Sequence, residues 1–360
     1  MSHATATSAA AAVRRPRPPL RVAIVGCGLV GRRRARIAAE HGQSRLVVVA
    51  DPDAVGAREA SGGIARIAAD WTAVVERNDV DAVVVSTPNH VLADVAVAAL
   101  DSGKHVLMEK PMGRSLDEAR RIAAAARAST GILRIGFNHR FHPAIRRAHA
   151  VARSGSLGRL VTLRARYGHG GRPGLEEEWR SDPERAGGGE LTDQGVHLAD
   201  LLHWIAGMPV EAFAYTQTAV WRIAPLEDNA YGLLRFEEGA VAQLHVSLTQ
   251  WKNLFSLEVQ GEAGAVIVEG LGGSYGVERL LRIDRAFQGG APAAHEERFE
   301  HEDRSWADEW SAFLTDVDVR TAGGADNGAP SSANGDDGVA AMRIVDALYR
   351  SAARGAAVTV

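Results

Sequence analysis

The stretch LRVAIVGCGLVGRRRARIAAEHGQSRLVVVAD, Leu20 to Asp51, decides the fold. Leu20 to Val25 is a short apolar, β-branched run, the pattern of a strand buried in a parallel sheet. It runs into Gly26-Cys-Gly-Leu-Val-Gly31, and RRRARIAAEHG then predicts a helix ending at Gly42. Alone, a GxGxxG is weak. Between a strand and a helix it is specific, because Gly26, Gly28 and Gly31 permit a tight turn and, with Leu29 and Val30, bring helix-terminal amides to a pyrophosphate. The second strand, RLVVVA, ends at Asp51, twenty residues after Gly31 (51 − 31 = 20). A carboxylate there accepts hydrogen bonds from ribose hydroxyls and repels a 2′-phosphate, which favours NAD over NADP. Arg32, Arg33 and Arg34 are the counter-indication; placed in the helix start, they read as a solvated face or a pyrophosphate contact.

The remainder of the composition narrows the class. At 360 residues, 46% hydrophobic and 24% charged, the chain is long enough for two globular domains. The net charge of −3 offers no case for nucleic acid, and no apolar run is long enough to span a bilayer. A single cysteine, Cys27, excludes an internal disulfide and suggests a reducing, cytoplasmic setting. Residues 1–19 read as a disordered tail; Arg14 and Arg15 are followed by RPRPP, where an export signal would need an apolar stretch. Lysine occurs only at positions 104, 110 and 252, so a lysine in a strategic place draws attention.

Downstream, DAVVVSTPNH places Ser86, Thr87, Pro88, Asn89 and His90 at a strand end, alongside the dinucleotide; His90 is equally readable as a plain helix-start residue. After another helix comes KHVLMEKPM, with Glu109, Lys110 and Pro111 at the carboxyl end of a strand, where open α/β sheets bind ligands. Pro111 stiffens the backbone that aims the ammonium. Leu20 to Met108 is thus a βαβα succession, a Rossmann-type sheet over residues 20–140. Further on, GGGELTDQGVHLADLLHW, Gly187 to Trp204, places Asp193 and His197 at i, i+4, on one face if the segment is α-helical. Such a pair is commonly only solvated; together with the dinucleotide motif it is a candidate acid–base centre.

In this order, GCGLVG, Asp51, STPNH, EKP and GGGELTDQGVHLADLLHWIAG resemble the glucose-fructose oxidoreductase / inositol dehydrogenase / rhizopine catabolism (Gfo/Idh/MocA) family, over nearly the whole chain. The resemblance implies an α/β N-terminal domain, a C-terminal α+β domain with a large, mainly antiparallel sheet, and a nicotinamide-dependent enzyme acting on a sugar, cyclitol or related alcohol. Lys110 matches the family's EKP lysine, and Asp193 and His197 its acid and histidine. A dimer or tetramer through the C-terminal sheet is implied as well.

Residues 141–360 predict strands around RLVTLRARY, VEAFAYTQTAVW, AYGLLRFEEGAVAQLHVSL, LFSLEVQG and AVIVEG, with a hairpin turn at Glu238 and Gly239. In the loop YGHGGRPGLEEEWRSDPERAGGG, Tyr167, His169, Arg172 and Trp179 are residue types that hold polyhydroxylated ligands, or else anchor a solvent loop. Asn138 and Arg140, at the domain junction, complete the candidate substrate-binding set. Arg140, Arg172 and Arg180 could read a phosphate or carboxylate, or only pair with Glu176 to Glu178. No HxH or HxxxH spacing supports a metal. Residues 321–338 read as a flexible loop. The expected chemistry is oxidation of a secondary alcohol, with His197 as base, Asp193 orienting its ring and Lys110 stabilising the alkoxide. The alternatives are a sugar-nucleotide 3-dehydrogenase, an NAD-recycling glycosidase or epimerase, and a non-enzymatic NAD-binding regulator.

Overall fold

The computed structural model describes residues 18–300, 302–325 and 328–360. Most of the N-terminal tail read from the sequence, including Arg14 and Arg15, lies outside the described residues. β1 (Leu20–Val25), α1 (Leu29–Glu40), β2 (Ser44–Ala50), α2 (Ala54–Ser61), β3 (Arg66–Ile67), α3 (Thr72–Val75), β4 (Ala82–Val85), α4 (Asn89–Asp101), β5 (His105–Glu109), α5 (Leu116–Ala128) and β6 (Leu133–Gly136) follow one another. They build a six-stranded parallel sheet in the order β3-β2-β1-β4-β5-β6. Its inner strands are apolar on both faces, as helices on both sides require: all four residues of β4 are 1% exposed or less. Order reverses between β1 and β4, so the carboxyl ends of these two strands open the crevice where a dinucleotide lies.

A 3₁₀ turn (Asn138–Phe141) and α6 (Pro143–Arg153) lead into the second half. There β7 (Leu160–Gly168), α7 (Pro183–Ala186), one π-helical turn (Leu191–Gly195), α8 (Val196–Ala206), β8 (Pro209–Gln217), β9 (Asn229–Phe236), β10 (Val241–Ser247), β11 (Leu254–Gly261), β12 (Gly264–Glu269), β13 (Glu278–Asp284), β14 (Ala293–Phe299), α9 (Ser305–Thr321), α10 (Gly335–Arg354) and β15 (Val358–Thr359) follow. Nine strands form a second sheet, β14-β13-β12-β11-β7-β10-β9-β8-β15. It is antiparallel except between β7 and β10, which run parallel. The hairpin expected at Glu238 and Gly239 joins β9 to β10, with Gly239 at φ 88°. Along β9 exposure alternates: Ala230 and Leu234 are buried, whereas Tyr231 and Leu233 are 42% and 48% exposed. One face is therefore covered, in part by α10, whose Leu348 occupies the space beside Gly232; the other is open.

Two boundaries differ from the sequence reading. The two sheets lie to either side of residue 140, β6 ending at Gly136 and β7 starting at Leu160, whereas α9 packs on the first sheet, where Trp310, Phe313, Leu314 and Val317 join the core of β1 and α1. The expected loop 321–338 is shorter and partly docked. Ala333 bridges Ile135, and Asn334 caps α10 by accepting from the Asp336 and Asp337 amides, so residues 335–338 are helical. No helix among the described residues is long and apolar enough to cross a membrane.

Candidate active site

At the end of β1 the three glycines have distinct surroundings. A Cβ on Gly31 would lie 1.8 Å from the Gly26 carbonyl oxygen, and one on Gly26 (φ 89°) 2.5 Å from the Ser86 backbone. A Cβ on Gly28 would meet nothing within 4 Å. Gly26 and Gly31 close the turn against β4, while Gly28 leaves its rim open. Gly28 is the N-cap of α1 and supplies no side-chain acceptor, so the first-turn N–H groups of a twelve-residue helix point to that open rim. Leu29, 80% exposed, and half-buried Val30 flank it. Nearby, Ser86 Oγ donates to the Gly26 carbonyl, while the buried Thr87 Oγ1 has no hydrogen-bond partner among the described residues. Asp51, at the end of β2, accepts from the Cys27 and Asp53 amides at 2.5 and 2.7 Å, which fixes its carboxylate at the lip of the turn. An open rim, free amides, an orphaned hydroxyl and a strand-end carboxylate fit a dinucleotide's phosphates and ribose. Burial pushes the Cys27 thiol up to about 12, so it is inert beside them.

Several expected contacts are redirected. Arg34 is no solvated residue: at 1% exposure it lies between Glu109 and Glu309, 2.7 and 2.6 Å from their carboxylates, under the Trp306 ring. Its partner Glu109 is thereby an internal ion-pair member rather than a cofactor ligand. Asn89 spends its amide on the Ala186 carbonyl. Half-buried His90 is the second residue of α4, with Nδ1 unpaired among the described residues. Asn138 donates to Ser305 Oγ, and Arg140, 1% exposed, makes two bonds to Asp200 and one to Asp337. A buried guanidinium must be paired, and this one pairs inside the protein instead of facing a substrate. Arg172 is exposed and bound to Glu178, and Trp179 packs with Leu175, Ile223 and Leu226 under the loop.

The convergent groups are Lys110, Asp193 and His197. Lys110 Nζ, just past β5, donates to the Asp193 backbone oxygen at 2.6 Å and to Asp193 Oδ1 at 2.7 Å, joining the two domains. Arg180 Nε adds 3.3 Å to Oδ2. Despite its burial, Asp193 is held far below the usual carboxylate range, chiefly by Lys110 and then Arg180. Asp193 does not bond His197 as the i, i+4 spacing had suggested. Residues 191–195 form a π turn, in which hydrogen bonds run i→i+5, so a residue four ahead falls short of a full turn. The imidazole packs instead 3.9 Å, centroid to centroid, from His139 and edge-on to Phe137. His197 is 4% exposed; burial, then His139 and Lys110, hold its pKa well below the ordinary value. It is neutral at neutral pH.

Tyr167 is buried beside His139 with its ring 5.4 Å from that of Tyr275, whereas half-buried His169 stands at the end of β7, 3.9 Å from Glu190. Sequence reading missed His139 and Glu190. His139 and His142 are three apart, the spacing that stacks side chains on a 3₁₀ turn, but nothing local announced such a turn in NHRFH.

A Rossmann crevice with a strand-end lysine locked to an acid of a second, sheet-bearing domain, next to a neutral histidine, defines a two-domain dinucleotide-binding oxidoreductase. Comparison with known proteins gives the family. A model described as "Oxidoreductase family, NAD-binding Rossmann fold" matches residues 20–137, and one described as "GFO/IDH/MocA C-terminal domain" matches residues 145–267. The chain belongs to the GFO/IDH/MocA family. It is 35% identical over 210 residues to the 1,5-anhydro-D-fructose reductase of Ensifer adhaerens, covering 57% of this chain and 62% of that protein, under two thirds of its length. It is 26% identical over 346 residues to inositol 2-dehydrogenase 2 of Saccharopolyspora erythraea, covering 93% and 94%. Among solved structures, levoglucosan dehydrogenase in complex with NADH superposes with a TM-score of 0.83 at 21% identity, over 95% of this chain and 99% of that one.

Proposed function

We propose that this protein is an NAD-dependent dehydrogenase that oxidises a secondary hydroxyl of a sugar, cyclitol or sugar derivative. The observation that carries the reading is the Lys110–Asp193 pair spanning the two domains at 2.7 Å, with the neutral His197 imidazole on the same helical segment. NAD would be held by the open rim at Gly28, Asp51 and the Ser86–Thr87 strand end, and would supply the acceptor for a hydride from the carbon bearing that hydroxyl. The protein's own groups handle the proton. His197 takes it, and neutrality is the state a base needs. Lys110 Nζ has three donors, two of them already given to Asp193; the third is available to the substrate oxygen as negative charge develops there. Asp193, tied to Lys110 and Arg180, positions the ammonium rather than the imidazole. The same groups serve carbonyl reduction in reverse. Asp51 at the ribose end supports NAD over NADP, since a second negative group there is repelled. Arg32, at the same turn, is engaged by the Cys27 carbonyl and Glu59.

The relatives' names support the polyol class: an anhydrofructose reductase, an inositol dehydrogenase and a levoglucosan dehydrogenase. Incubation with NAD and myo-inositol or levoglucosan, or with NADH and 1,5-anhydro-D-fructose, is expected to show stoichiometric change in NADH absorbance with at least one of them. Product formed without net NADH change would instead establish a redox-neutral reaction. We also infer a homo-oligomer through the open face of the nine-stranded sheet, where Tyr215, Tyr231, Leu233 and Val241 stand 64%, 42%, 48% and 42% exposed.

A further inference from the structure

Glu190 is the residue the mechanism above leaves unused. It follows the three glycines, in a backbone clamped from behind. A Cβ on Gly189 would lie 2.2 Å from the Glu227 carbonyl oxygen, the Glu190 amide donates to that oxygen, and the Glu227 carboxylate accepts from Gly189 N, Leu191 N and Tyr349 Oη. The turn therefore needs nothing from the Glu190 side chain. Yet that side chain is 2% exposed, and its Oε1 makes no hydrogen bond to any described residue. Desolvating a carboxyl without a partner costs stability, more so if it is charged, so an idle buried carboxyl is an expensive feature. The charges of Asp193, Lys110, Glu227 and Arg180 act on it, and it in turn acts on Tyr167 and Tyr275. Burial and the Asp193 charge push it well above the usual carboxylate range, toward the protonated form, which carries one O–H donor and one acceptor.

A polar group beside Oε1 is His169. Its Nδ1 accepts from the Gly171 amide, which leaves the proton of the neutral ring on Nε2, 3.9 Å from Glu190 Oε1. That gap is too long for a hydrogen bond, but one hydroxyl oxygen can lie about 2.8 Å from both atoms at once. We propose that Glu190 and His169 form a substrate subsite that binds a hydroxyl neighbouring the reacting one, so that the enzyme selects an uncharged vicinal diol. The inference rests on the dehydrogenase reading. A hydroxyl both donates and accepts, as this pair requires. A phosphate or carboxylate at that carbon would be set against the charge of Asp193.

The test uses the full-length protein with NAD or NADH and whichever of myo-inositol, levoglucosan and 1,5-anhydro-D-fructose the wild type turns over. Glu190→Leu should raise KM about 10-fold or more with NADH affinity unchanged, while Glu190→Gln, which keeps a donor and an acceptor, should stay within about threefold of wild type. Should Glu190→Leu fail to fold, a crystal structure of the wild type with NADH and the same polyol decides the matter: Glu190 within about 3.2 Å of a ligand hydroxyl supports the proposal. Glu190→Leu with wild-type KM and kcat, or a ternary complex with Glu190 clear of the ligand, overturns this inference alone. A wild type that neither turns over nor binds any of the three overturns the dehydrogenase reading, and the subsite with it.

Discussion

Gly28 and Gly31 belong to one motif yet answer to different demands, and a single methyl group separates them. On Gly31 it would strike the Gly26 carbonyl at 1.8 Å; on Gly28, at φ −65°, it would meet open space. Gly28→Ala should therefore melt at the wild-type temperature while binding NADH at least about 10-fold more weakly, the methyl standing where the pyrophosphate approaches. Thermal unfolding with an NADH titration checks this, and unchanged affinity would show that the rim is not the phosphate site. At this scale the sequence was legible wherever a motif dictates backbone: the glycine turn, Asp51 and the strand-end Lys110 stand where they were expected. It was not legible for charged side chains with distant partners. Arg34 pairs with Glu109 and Glu309, and Arg140 with Asp200 and Asp337. Nothing near either arginine reveals that it is buried, since a charged residue goes inside only when the fold brings its counter-ions. The Asp193–His197 spacing was read correctly and its geometry was not, because one π turn redirects the acid to Lys110.

Among elements, α9 shows how a distant segment completes the nucleotide domain. Its Glu309 is the surplus charge in a buried group of two carboxylates and one guanidinium, and burial raises its pKa to about 7. The native state thus keeps a proton that the unfolded chain releases above about 4.5. With a raised acid pKa, stability is lost as pH rises from about 4.5 through about 7. Glu309→Gln removes that dependence, so relative to wild type it should gain stability between pH 5 and pH 8, by at most on the order of 3 kcal/mol. Denaturant unfolding at the two pH values measures the difference; a constant offset would place the extra proton elsewhere. That α9 belongs to the first domain was invisible in its sequence, as amphipathic spacing gives a face but no address. Strands were found where apolar alternation is strong, as in β7, β9 and β10. β13 and β14 were missed: ERLLRID and AAHEERF carry charges on the positions that pattern reading relies on, and β14 is exposed along nearly its whole length.

At the scale of the whole molecule, two sheets share one site. The first holds the cofactor crevice, the second places Asp193 and His197 against it, and the second sheet's outer face remains open. On that face Tyr231 pairs with Tyr215 on β8 and stacks on His245 of β10, a patch of aromatic and apolar groups suited to a second copy of the chain. Leu233→Asp, on this face and remote from the crevice, should shift the protein from oligomer to monomer in sedimentation experiments; a wild type that sediments as a monomer would contradict the assignment. The central claim is that the two domains meet to perform acid–base chemistry beside a nicotinamide. Its most direct test is steady-state NADH formation by His197→Ala, with NADH binding measured in parallel. The account predicts a kcat lower by about 10² to 10⁴ with cofactor affinity retained; near-normal turnover would contradict it.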